Sequence, residues 1–260
     1  MIRHTAFLTM ALSAGIATAA PINASALNGA APEAWTTGWT GSSVAALVPT
    51  AKPGDQALQF SGNSNKAAYL KLAERQDGGV LIDFSFQYSG KVDGNDFLGL
   101  WFGNSSNLDN AYLGPNIGFK ANCGNTAVNS SCTNDLFVRL GGTEGYFING
   151  SDLVENTTYR LFAHLYKSNG SSVYNSFDAW LNPSTAELVS LKTPDAQAKP
   201  TGSLKIASFD TIGIRTATID KGLTVRIDNV NVREVPEPGT ISLMGLALAG
   251  LAAFTRRKRA

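Results

Sequence analysis

Leu81-Ile82-Asp83-Phe84-Ser85-Phe86-Gln87-Tyr88 alternates one residue at a time: Ile82, Phe84, Phe86 and Tyr88 fall on one side, and Leu81, Asp83, Ser85 and Gln87 on the other. A period of two is the signature of a strand buried on one face, because successive side chains of an extended backbone point to opposite sides. Tyr159-Arg160-Leu161-Phe162-Ala163-His164-Leu165-Tyr166 repeats the pattern. Shorter stretches of the same kind predict strands over Ala57–Phe60, Ala68–Leu72, Phe97–Phe102, Ile117–Lys120, Leu136–Leu140, Phe177–Leu181, Ser203–Ile206, Thr211–Arg215 and Leu223–Val232. Between them stand turn formers such as Asp93-Gly94-Asn95, Asn149-Gly150, Asn169-Gly170 and Lys221-Gly222. No internal segment sustains a 3.6-residue stripe. Many short strands, turns and no helices predict an all-β, antiparallel jelly-roll sandwich in one domain, with a surface loop over Lys192–Gly202, where two prolines stand and large apolar residues are nearly absent.

Composition agrees with a packed β domain: charged residues are 16% of the chain and hydrophobic ones 43%, enough apolar surface for a sizeable core. Lys and Arg total 21 against 20 Asp and Glu, and four of the basic residues lie within the last five positions. The body is therefore mildly acidic, which excludes nucleic acid as a partner, since phosphate binding needs a clustered basic face.

The two ends set the compartment. Met1–Ala26 holds Arg3 and His4, a mostly apolar run from Ala6 to Ile16, and then small residues, the order of a secretory signal peptide. Cleavage after Ala19 or after Ala26 fits the small-x-small rule. At the other end stands Val235-Pro236-Glu237-Pro238-Gly239, followed by an uncharged run from Ile241 to Phe254 and the basic tail Arg256-Arg257-Lys258-Arg259. The prolines hold their stretch extended and stop helix propagation, which presents an unfolded peptide to a processing enzyme. As a helix the apolar run rises ~21 Å against a hydrocarbon core of ~30 Å, so it forms a short transmembrane helix only with help from its flanks. The basic tail stays cytoplasmic by the positive-inside rule. These boundaries divide the chain into a signal peptide (1–26), an extracytoplasmic sandwich (27–234) and a tail (235–260).

The proline-flanked glutamate, apolar run and basic terminus of residues 235–260 resemble the PEP-CTERM sorting signal of exosortase substrates in Gram-negative bacteria. The resemblance implies an exosortase-type partner, transit through the inner membrane, cleavage near the motif, and delivery to the cell surface or an exopolysaccharide matrix. The body is similar to concanavalin A-like, laminin-G-like sandwiches. Leu58–Gly62, Phe137–Gly142, Phe177–Pro183 and Arg226–Val232 carry that similarity. It implies two curved sheets with an exposed face where relatives place a glycan site, and so polysaccharide as a candidate partner.

Few residues carry chemistry. Cys123 and Cys132 bracket a polar segment, and in an exported protein the pair reads as a disulfide. Once the signal is removed, His164 is the only histidine: with a bridged cysteine pair it leaves too few nitrogen and sulfur ligands for zinc, and a thiol or serine catalytic set would have to recruit it from mid-strand. No catalytic residue is assigned and a non-enzymatic protein is expected. The alternative is a glycoside hydrolase on the lectin-like sandwich; it lacks the tight Glu-x-Asp-x-x-Glu run of such enzymes, although distant carboxylates could converge in space. No cofactor is required. Asp93, Asn95 and Asp96 place three oxygen-bearing side chains in one turn, which reads either as a calcium site or as an ordinary hairpin turn; Asp178 and Asp228 are further candidate ligands. On Tyr159–Tyr166 the Leu161 side reads as core. The other side offers Phe162, His164 and Tyr166 either as a glycan face of polar-tipped rings or as a second buried face.

Overall fold

The computed structural model describes residues 39–51, 56–92, 94–121, 135–141, 145–199 and 205–235. The signal segment, Asp93, both cysteines and residues 236–260 lie outside the described residues, so the two terminal helices and the Cys123–Cys132 bridge are not among its features.

Among the described residues two seven-stranded antiparallel sheets face one another. One runs β12 (Ala196–Ala198), β11 (Ser176–Leu181), β10 (Tyr159–Tyr166), β5 (Val80–Ser89), β14 (Thr224–Glu234), β3 (Gln56–Phe60) and β2 (Ala45–Pro49). The other runs β1 (Trp39–Gly41), β4 (Ser64–Gln76), β13 (Phe209–Ala217), β6 (Phe97–Gly103), β7 (Asn116–Lys120), β8 (Leu136–Arg139) and β9 (Tyr146–Phe147). We call them the β10 sheet and the β6 sheet. The alternation that predicted β5 is realised: Ile82, Phe84, Phe86 and Tyr88 are buried, and Leu81, Asp83, Ser85 and Gln87 face outward and are half-buried. Rings join the sheets across the core. Tyr88 stacks on Phe119 at 6.3 Å, and Phe102 meets Phe177 edge-on at 6.2 Å, the offset and T-shaped arrangements that the ring quadrupole favours.

The strand β14 lies between β5 and β3, deep in its sheet rather than at an edge. A register shift between Asp228 and Asn231, with Asn229 at φ 55°, keeps Val225 and Ile227 before it and Val230 and Val232 after it facing the core. Without that bulge the second half would turn its valines to solvent, because a one-residue slip inverts a strand's faces.

Four expectations need correction. The stretch read as a loop contains β12, whose Ala196 and Ala198 are buried while Gln197 is exposed; alanines bury too little surface to stand out in a search for large apolar residues. A helix, α1 (Thr185–Ser190), follows β11. It is one and a half turns long, too short to show a stripe. Its sign in the sequence is a capping box, in which Ser184 accepts from the Glu187 N–H and the Glu187 carboxylate takes the Ser184 N–H. Lys205 and Ile206, expected to end a strand, are irregular, and the Ile206 carbonyl accepts from the Tyr174 N–H instead of a ladder. The strands β1, β2 and β9, of five residues or fewer, were not expected.

Candidate functional site

The outward face of the β10 sheet is built by register. Arg233 of β14, Leu81 of β5, His164 of β10, Asp178 of β11 and Gln197 of β12 are successive cross-strand partners and form one row. Tyr166, two residues along β10, shares the face, and its ring stacks on the His164 imidazole at 4.3 Å and 17°. Asp178 is buried to 5% exposure and acts as the anchor: Tyr166 Oη donates to its Oδ2 at 3.1 Å and Gln197 Nε2 to its Oδ1 at 2.7 Å. His164 and Tyr166 remain half-buried. Burial pushes the imidazole down to about 4, against the pull of the Asp178 charge, so His164 is neutral at physiological pH. Burial, and then the same carboxylate, raise the Tyr166 phenol.

Phe162 does not belong to the accessible part of this face. It is fully buried, tilted against Trp180 at 5.5 Å, with the Arg233 guanidinium 5.9 Å from its ring centroid. The segment after α1 is fastened beside it by Trp180 Nε1 donating to the Lys192 carbonyl at 3.1 Å and by the Leu181 N–H donating to Asp195 at 2.7 Å. Of the two readings of the face, the second holds for Phe162, and the open side is narrowed to His164 and Tyr166. Asp178, Gln197 and Arg233 complete the row. Their place on it could not be read from sequence, because it depends on which strands pair.

Among the other candidates, Asn95 is exposed at φ 81° and Asp96 is buried to 1% exposure. With Asp93 outside the described residues, the turn is not placed as a set. Asp178 serves Tyr166 and Gln197, and Asp228 accepts from the Asn229 N–H at 2.7 Å. Among the described residues no group of three or more His, Cys, Asp and Glu is placed to hold a metal ion, and no helix is long and apolar enough to cross a membrane. Val235, the first residue of the sorting stretch, donates its N–H to the Gly79 carbonyl at 2.8 Å. A Cβ on Gly79 would stand 3.3 Å from His164 Nε2 and 3.7 Å from the Val235 Cβ. Val235 therefore stands beside Gly79, next to His164.

The PEP-CTERM protein-sorting motif model matches residues 234–258. A search of the curated proteins returns no match. Similar solved structures include a protein with a galectin-like fold from Bacillus subtilis (TM-score 0.49, 12% identity, covering 78% of this chain and 92% of that one). The binding domain of botulinum neurotoxin serotype G is another (0.48, 11%, 80% of this chain), and the chain spans 46% of its length. A third is the carbohydrate esterase vb_24B_21 of the Shiga toxin-encoding bacteriophage phi24B (0.46, 15%, 80% and 96%). The chain is a two-sheet antiparallel β-sandwich protein that ends in a PEP-CTERM sorting motif, the mark of an exported protein.

Proposed function

We propose that the protein is delivered to the cell surface or the extracellular polysaccharide matrix, after exosortase-type processing of its tail, and binds glycan there without transforming it. The observation that carries the binding is the stacked His164–Tyr166 pair set beside the anchored Asp178 and the exposed Gln197. A pyranose offers an apolar C–H face to stack on a ring and a rim of hydroxyls for an amide, a phenol hydroxyl and an imidazole nitrogen to bond.

The hydrolase alternative requires an acid and a nucleophile or base, two carboxyls facing one sugar. On this face Asp178 is buried with both oxygens engaged, and Asp83 is held by the Arg160 guanidinium in a two-point contact at 2.9 and 2.5 Å. Both are tied to protein partners, which favours binding over hydrolysis.

A glycan array probed with the purified full-length chain tests the reading. Binding by wild type that falls at least tenfold in His164→Ala and in Tyr166→Ala, with melting temperature retained, supports it. Absence of binding by wild type, or undiminished binding by both variants, refutes it.

A further inference from the structure

The outward face of the β6 sheet carries two arginines, Arg139 and Arg215, that no carboxylate among the described residues answers. Across the strands, Arg139 of β8, Asn116 of β7, Trp101 of β6 and Gly213 of β13 form one row, and Phe137, Gly118, Gly99 and Arg215 form the next. The glycines matter here. With no Cβ at Gly99, the Phe97 ring lies over that position, where a methyl would stand 2.8 Å from Phe97 Cζ. Arg139 and Arg215, on strands separated by β7 and β6, thereby reach the same ring, each guanidinium carbon 5.2 Å from the Phe97 centroid. Arg215 also lies 4.4 Å from the Tyr112 ring centroid.

The arrangement is held in advance. Asn116 Nδ2 donates to the Gly114 and Tyr112 carbonyls at 2.8 and 3.3 Å, which turns its Oδ1 toward Arg139 Nε at 2.8 Å. Arg215 Nε donates to Asn65 Oδ1 at 2.9 Å. Each guanidinium thus uses its Nε, while among the described residues no acceptor is paired with the terminal nitrogens and no carboxylate stands within ion-pair distance. Arg139 is 9% exposed, and Arg215 and Tyr112 are half-buried at the open side. Two like charges gathered on a partly desolvated aromatic floor are costly unless an anion joins them. Burial, and then the charge of Arg215, depress the Arg139 guanidinium to about 10, the direction that crowding of unanswered cations gives.

We propose that this face is a second glycan site, selective for a carboxylate-bearing sugar: Arg215 takes the uronate carboxylate on its free edge, Arg139 supplies charge from below, and Tyr112 borders the sugar ring. The planar fork of arginine matches a carboxylate in a two-point contact, and the rings suit the C–H face of the same sugar. The inference rests on the reading of the protein as a glycan binder but uses the opposite sheet, so the two fail separately.

The test measures binding of the purified full-length chain to immobilised polygalacturonate, dextran sulfate and unmodified dextran, for wild type, Arg215→Ala and Arg215→Lys. Expected is binding of polygalacturonate above both dextrans, a loss of at least tenfold in Arg215→Ala with unchanged melting temperature, and a smaller loss in Arg215→Lys. Equal binding of polygalacturonate by wild type and Arg215→Ala overturns the site, as does preference for dextran sulfate, which would mark a mere polyanion surface. Failure to bind polygalacturonate overturns it too, and leaves the His164–Tyr166 site to stand or fall on the neutral glycans of the array.

Discussion

Replacing Gly213 by alanine should unsettle the β6 sheet from its outward face. An ideal Cβ at this position would lie 2.1, 2.4 and 2.6 Å from Cζ2, Cε2 and Cη2 of Trp101, whose side chain is fully buried. Three atoms of one rigid indole are too close at once, so no small rotation of a flexible tip relieves the clash. If the sheet shifts to keep the indole in place, the cost is that of overpacking, about 1–3 kcal/mol. If the indole leaves instead, a tryptophan that buries roughly 200 Å² loses its cover, about 5 kcal/mol at 25 cal/mol per Å². The expectation between these limits is about 3 kcal/mol, and for a domain of this size a fall in Tm of about 6–12 °C. Equilibrium denaturation of the full-length chain measures it, with Trp101→Leu and the double variant completing a cycle. Because the smaller residue vacates the space the new methyl needs, the double variant should be more stable than the sum of the single effects by at least ~1 kcal/mol. A Gly213→Ala loss below about 0.5 kcal/mol, the ordinary range for a surface change, or strict additivity in the cycle, would show that the Trp101–Gly213 contact does not constrain the sheet.

Phe162→Ala, at a fully buried ring against Trp180, should cost about 3–5 kcal/mol of stability, and a melting temperature unchanged by it would return Phe162 to the accessible face. His164 is depressed to about 4 from 6.5, so between those values the unfolded chain takes up a proton that the fold refuses. Stability is complete above about pH 6.5 and is lost as pH falls toward 4, by on the order of 2 kcal/mol. Denaturation midpoints against pH should show this slope in wild type and a flatter one in His164→Gln; equal slopes would refute the assignment. Intact-mass analysis of surface material from a strain with a working exosortase should find the protein without Ile241–Ala260, and a complete tail on the mature protein would contradict processing. Thiol labelling of the secreted protein should find neither Cys123 nor Cys132 reactive, the bridge between them contributing ~2–3 kcal/mol in the chain-entropy model; two reactive thiols would exclude it.

Features whose physics is local were readable along the chain. Alternation in Leu81–Tyr88 and Tyr159–Tyr166 needs only the two-residue period of an extended backbone, and it marked the strands and the core-facing sides of β5 and β10. The tail was equally legible, because its prolines, apolar run and basic terminus stand side by side along the chain and require no partner from elsewhere in it. Elements resting on small residues or few bonds were not legible: Ala196–Ala198 becomes a strand only because the edge of β11 offers it a ladder. The sites were decided by tertiary structure alone. Phe162 and Tyr166 share one face of one strand, yet one is sealed and the other half-buried: Phe162 packs against Trp180, to which the segment after α1 is fastened, whereas Tyr166 stacks on the half-buried His164. Arg139 and Arg215 stand 76 positions apart in the sequence. They meet over Phe97 because three strand registers align glycine positions between them, and no pattern along the chain encodes a register between strands that have yet to pair.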